Sequence, residues 1–164
     1  MVVLGIDPGS SITGWGVISK APSSGWVTMG YGVIKTDSSA PFALRLSQIF
    51  RQLSKIIHDY KPEAVAVEQL FFSINKKNII LVSHARGAAL LAASEAGVPV
   101  AEYSVLQVKS SLVGYGRAEK GQMQKMVKAF LKLKEIPEPD DIADALAVAI
   151  CHINSEKMNK IKGL

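Results

Sequence analysis

The chain has 164 residues, 48% of them hydrophobic, with a net charge of +5 and a single cysteine. That length suits one domain with a proper core. No segment approaches the roughly 18 uninterrupted apolar residues of a membrane span, and one thiol excludes an internal disulfide framework.

Residues 2–7 (VVLGID) read as a buried strand followed by a PGSS turn. The opening lacks a charged n-region and a cleavage site, so no secretory signal is expected. Residues 13–19 and 26–36 are rich in β-branched and aromatic residues and predict two further strands of a meander. From Pro41 to Tyr60 the apolar residues Phe42, Leu46, Ile49, Phe50, Leu53, Ile56 and Ile57 recur at helical spacing. Ser38 and Ser39 are available to cap that helix, and Pro62 ends it. AVAVE (64–68) predicts a short buried strand.

A long helix is expected at about 77–96, stopped by Gly97 and Pro99. Its stripe of Ala85, Ala89, Ala92, Ala93 and Ala96 suits close internal packing or a dimer contact. Residues 98–104 predict a strand, 105–113 a short helix, and 120–132 another helix. KEIPEPDD is a Pro-rich turn, and Asp140 can cap a last helix running to about 156. Cys151 lies in the apolar run of that helix and reads as a buried thiol in a reducing cytosol. The order βββαβαβααα predicts an α/β fold, a mixed sheet with helices on both faces. A single domain over 1–156 with a basic tail at 157–164 follows.

Four carboxylates stand out: Asp7 in LGIDPGS, Glu68 in VAVEQLF, and Asp141 and Asp144 in DDIADALAVAI. Asp7 closes the first strand and Glu68 the fourth, so adjacent strands would set them side by side. Asp141 and Asp144 are three apart at a helix start and share a face. A protein rarely gathers so much negative charge beside a core without a cation. Carboxylate oxygens suit Mg²⁺, and such a set can hold two ions about 3.5–4 Å apart, one activating water and one stabilising the leaving 3′ oxygen. No His or Cys cluster competes as a zinc site. Without metal, mutual repulsion pushes at least one carboxylate toward its protonated form. Between Ser73 and Lys134 ten Lys and Arg residues stand against three Glu. Together these point to metal-assisted chemistry on a nucleic-acid phosphodiester.

Each acid also has a plain structural use. Asp141 complements a helix dipole, and Asp7 before Pro-Gly serves a turn. Glu68 is harder to explain so, because a buried-strand pattern leads directly to its charge. Asp144 lies among Ile142, Ala143, Ala145, Leu146 and Ala147, small neighbours that leave room for a large ligand.

The chain closely resembles the RuvC family of Holliday-junction resolvases, through GIDPGSSITGWGVI, VEQLFF and DDIADALAVAICH. HARGAAL, VKSSLVGYGRAEKGQM and MVKAFLKL match between them in order and spacing. The resemblance implies a ribonuclease H-like fold with a mixed five-stranded sheet. It implies a Mg²⁺-dependent crossover junction endodeoxyribonuclease, cytoplasmic, acting in homologous recombination and DNA repair. As a homodimer it would resolve four-way junction DNA by symmetric paired nicks, with RuvA and RuvB as branch-migration partners. Asp7, Glu68, Asp141 and Asp144 would form the metal-binding catalytic site, the site of two Mg²⁺ per subunit, with Mn²⁺ able to substitute. The third position is His in some members and Asp141 here; the D-x-x-D spacing selects it over Asp140. Lys109 and Lys120 match lysines near the active site that hold phosphate and stabilise transition-state charge. Phe71 matches an aromatic that stacks on bases at the junction centre, and Phe72 could share or exchange that role with core packing. The long Ala-striped helix would carry the dimer interface. Arg86 has two open uses, a phosphate contact or a cap on a partner helix.

Two other classes compete. D-x-G-x-x-x-T-G over Asp7–Gly14 is similar to the phosphate loop of actin and Hsp70 ATPases, but the chain is short for two such domains and shows no adenosine-binding segment. A silent junction-binding module would gain nothing from four negative charges beside phosphate.

Overall fold

The β-rich head of the chain forms a meander because each hairpin strand can pair with the one before it. The computed structural model describes residues 1–21, 25–70 and 76–162. Strand β1 (Val2–Asp7) pairs antiparallel with β2 (Ile12–Ala21), and β2 pairs antiparallel with β3 (Gly25–Lys35). Helix α1 (Phe42–Tyr60) crosses over to β4 (Ala64–Glu68), which lies parallel to β1. Helix α2 (Lys76–Glu95) crosses to β5 (Val100–Tyr103), parallel to β4. The sheet order is β3-β2-β1-β4-β5. Helices α3 (Val105–Val113), α4 (Lys120–Phe130) and α5 (Asp140–Lys162) complete the chain. The expected five-stranded mixed sheet of the ribonuclease H-like fold is the one observed.

The pleat divides the core in two. Leu4, Ile6, Val65 and Val67 pack with Ile49, Leu53 and Ile57 of α1 and the alanines of α2. Val3 and Ala66, on the opposite face, pack with α3, α4 and α5. Side chains alternate along a strand, so Asp7, four residues beyond Val3, and Glu68, two beyond Ala66, belong to the α5 face. The register runs Val3↔Ala64 to Ile6↔Val67, which makes Asp7 and Glu68 the next neighbours at the strand ends.

Several local expectations change. Ser38 and Ser39 do not cap α1: Pro41 holds the N-cap position without a side-chain bond. Ser39 instead donates its N–H and its hydroxyl to Asp37 Oδ1, both at 2.8 Å. Strand β5 is shorter than 98–104 because the Val98 N–H is spent on the Ala93 carbonyl at 3.0 Å, closing the end of α2. Helix α5 continues to Lys162, past the expected end near 156; KMNKIK contains no Gly or Pro to stop it. Most of the alanine stripe is used inside the protein, since Ala85, Ala89, Ala92 and Ala93 are buried, whereas Ala96 is exposed. Cys151 is a buried free thiol, as expected.

Candidate active site

Two glycines let helix α5 lie directly on the sheet. A Cβ at Gly14 would meet the Asp141 carbonyl oxygen, and one at Gly5 would meet that of Ala145. Gly14 is also the ladder partner of Asp7. The first turn of α5, seated over Gly14, therefore brings Asp141 beside Asp7. Asp144 follows one turn later on the same face. Ala145 serves this helix–sheet contact, whereas Ala147 lines the adjoining cavity. The small residues around Asp144 thus have mixed use rather than the single one of leaving room for a ligand.

The turn after Asp7 is tied down by partly buried hydrogen bonds. The Thr13 hydroxyl donates to the Gly9 carbonyl at 2.7 Å, and that of Thr36 to the Ser10 carbonyl at 2.6 Å. Arg45, buried on α1, donates from Nη2 to the Ser10 carbonyl at 2.7 Å and to Ser11 Oγ at 3.1 Å. Thr13, the threonine of the ATPase-like pattern, is fully buried and has its hydroxyl committed to its own turn. That leaves the Thr13 hydroxyl unable to donate to a phosphate. Arg45 escaped the sequence reading, although an arginine on the i, i+4, i+8 face with Ile49 and Leu53 is a signal of a buried polar anchor.

Beside the acids is a cavity of about 210 Å³ lined by Glu68, Asp144, Lys109, Lys120, Val105, Val108, Met123 and Ala147. Helix α3 brings Lys109 to it, its start fixed by a reciprocal cap: Gln107 N–H to Ser104 Oγ at 3.3 Å and Ser104 N–H to Gln107 Oε1 at 2.8 Å. Helix α4 begins at Lys120, and the Glu119 N–H just before it donates to Gln122 Oε1 at 3.1 Å. Both lysines named from the sequence thus meet the carboxylates. Phe71 and Phe72 lie outside the described residues.

The electrostatics are those of a site crowded with negative charge. Burial, then Asp144, Glu68 and Asp141, push the Asp7 carboxyl up to about 7, against a smaller opposing pull from Lys120. Glu68 is raised by burial and Asp144, with Lys109 opposing. Asp144 is raised by burial despite Lys120, and Asp141 is raised mainly by burial. This is the protonation pressure expected of clustered carboxylates without a cation.

Asp140 behaves differently from its neighbours. Rather than serving chiefly as a cap, it is the first residue of α5 and its carboxylate is paired with the Lys120 ammonium. Lys120 Nζ also lies 3.5 Å from Asp144 Oδ2. The hydrogen bond to Lys120 holds Asp140 below the ordinary carboxylate range, and the same bond raises Lys120.

The donor set, all carboxylate oxygen, fits a hard divalent cation. Among the described residues, no three His, Cys, Asp or Glu side chains converge on one ion position. An ion would therefore have to draw these oxygens inward, and Lys120 would have to yield Asp144.

Arg86 faces inward, which settles neither of its two expected uses and adds a third. Its guanidinium pairs with Glu102 on β5, and its Nε donates to the Glu68 carbonyl at 3.4 Å. With the side chain only 15% exposed, Arg86 fixes the end of β4 from which Glu68 projects.

Comparison with known proteins gives one consistent relationship. The family model for crossover junction endodeoxyribonuclease RuvC matches residues 3–152. A crossover junction endodeoxyribonuclease RuvC of Ruminiclostridium cellulolyticum is 50% identical over 163 residues, covering 99% of this chain and 98% of its own. The Thermus thermophilus RuvC structure is 40% identical with a TM-score of 0.90, covering 97% of each chain. The same protein in complex with a Holliday junction substrate is 39% identical with a TM-score of 0.88, over 96% of each.

Proposed function

Because the chain belongs to the RuvC family of crossover junction endodeoxyribonucleases, we propose that it resolves four-way DNA junctions by paired, symmetric hydrolysis of phosphodiester bonds. The single observation that carries this reading is the meeting of Asp7, Glu68, Asp141 and Asp144 beside a cavity that also takes Lys109 and Lys120. The Thermus thermophilus relative, solved in complex with a Holliday junction substrate, supports the same substrate for this chain.

The four carboxylates would hold Mg²⁺, two ions per subunit, with Mn²⁺ as a substitute. When bound, such ions supply an activated water and a counter-charge for the leaving 3′ oxygen. Asp7, once deprotonated, would be one of the residues that hold them. Glu68, on the adjacent strand end, and Asp144, on α5, face the cavity from two sides and orient what enters it. Lys109 and Lys120 bind the scissile phosphate and oppose its growing negative charge. Phe71 stacks on an unpaired base at the junction centre, a contact worth about 1–3 kcal/mol.

The active unit in this reading is a homodimer, since a two-fold pair of sites suits a substrate of approximate two-fold symmetry. With the alanines of α2 buried, pairing would use its outer face, where Ile80, Leu81 and Leu91 are exposed. RuvA and RuvB would deliver the junction, in the cytoplasm, during recombination and repair.

The deciding experiment titrates Mg²⁺ and Mn²⁺ into cleavage reactions on a synthetic four-way junction, with linear duplex of the same sequence as control. Paired nicks confined to the junction and absent in EDTA are expected. Equal cutting of linear duplex, or cutting that persists in EDTA, would refute the proposal.

A further inference from the structure

We propose that Asp140 is a positioning residue for Lys120, holding its ammonium at the rim of the site so that Asp144 remains available as a ligand. Lys120 pairs with both Asp140 and Asp144, the first contact being the closer. Asp140 and Asp144 are four residues apart on α5, so they present their carboxylates one above the other on one face. Asp140 is also the more exposed, at 47% against 35% for Asp144. It therefore stands at the solvent edge, and Asp144 stands toward the cavity.

A lysine that must stabilise charge on a phosphate has to stay near the carboxylates without neutralising one of them. Its flexible stem makes that hard, because an unanchored ammonium settles on the nearest anion. Among the described residues, Asp140 and Asp144 are the carboxylates paired with Lys120. Remove Asp140, and Lys120 is left to choose between solvent and Asp144. Keep it, and Lys120 can yield Asp144 while remaining one side chain away. The pair also links the first residue of α4 to the first residue of α5.

This inference deepens the proposed junction cleavage and rests on it for one of its two tests. The first test needs no metal and no DNA. Lysine reactivity toward an amine-directed acetylating reagent is measured by mass spectrometry in EDTA, with the exposed Lys35 as internal reference. An exposed ion pair shifts such an equilibrium by up to about fivefold, so Asp140→Asn should raise labelling of Lys120 about two- to fivefold while Asp140→Glu stays near the parent. The second test measures cleavage over a range of junction concentrations up to saturation. Asp140→Asn should lower kcat about two- to fivefold with KM little changed, Asp140→Glu should restore it, and in a Lys120→Ala background the substitution should cost nothing further. Unchanged labelling, or an equal loss of kcat with and without Lys120, would overturn the assignment. If the parent chain does not cut junctions, the proposed function fails, yet the labelling result still decides what Asp140 does.

Discussion

Replacing Asp7 with Asn should stabilise the metal-free protein while abolishing its cleavage. Burial, followed by Asp144, Glu68 and Asp141, moves the Asp7 carboxyl from its ordinary 3.8 to about 7. Between those two values the folded protein holds a proton that the unfolded chain has released. Stability therefore falls as pH rises through that window and stays low above it. Roughly three pH units at about 1.4 kcal/mol each bound the cost near 4 kcal/mol. Solvent screening relieves part of it, so about 2 kcal/mol is the expected gain for Asp7→Asn at pH 8 in EDTA, or about 4–8 °C in Tm for a chain of this length. At pH 5 the native carboxyl is already protonated, and the gain should shrink to about 1 kcal/mol. Thermal melts of both proteins at the two pH values, with and without Mg²⁺, measure this directly. Mg²⁺ should raise the Tm of the parent more than that of the variant. No gain at pH 8, or an equal gain at pH 5, would refute the electrostatic account of the site.

Gly14→Ala should fail in another way, because its methyl would meet the Asp141 carbonyl and lift α5 from the sheet. Loss of about 1–3 kcal/mol in a denaturant melt, together with loss of cleavage, is expected; native activity would show that the helix–sheet contact is looser than described. Arg86→Ala should reduce cleavage several-fold while costing about 1–3 kcal/mol of stability, since it frees the Glu68 carbonyl and leaves Glu102 unpaired by its guanidinium. Parallel melts and single-turnover cleavage separate the two effects, and unchanged cleavage would exclude a role for Arg86 in placing Glu68.

The neighbourhood of Asp7 and Glu68 was legible from sequence because both end short apolar strands, and parallel neighbours in register put equivalent ends together. The pairing of Asp141 with Asp144 was legible from helical spacing alone. What brings the two pairs together was not. Gly5 and Gly14 sit in ordinary strand patterns, and nothing local says that their missing side chains make room for a helix beginning some 130 residues later. Asp140 presented the same difficulty: its position at a helix start has a local explanation in capping, and that explanation hid a non-local partner. Arg86 lay in a motif whose match says nothing about direction, and its inward course depends on β5 passing beside β4. Periodicity reports which face a residue occupies; long-range partners require the topology.

The two halves of the site are supported differently, and this bears on how it can work. Asp7 and Glu68 are carried by central strands, and Asp141 and Asp144 by a helix seated on glycines of β1 and β2. Their positions are as rigid as the core, and their mutual repulsion is held in place by it. Lys109 and Lys120 arrive on α3 and α4, whose buried residues Val108, Leu112, Met123 and Val127 pack in the cluster centred on α5. The positive half of the site is thus anchored one layer further from the sheet, through long side chains with several rotatable bonds. A rigid anionic floor under an adjustable cationic rim suits a reaction in which a phosphate must enter, gain charge and leave. Admitting a cation draws the carboxylate oxygens inward, and Lys120, already shared with Asp140, is the group that must give way.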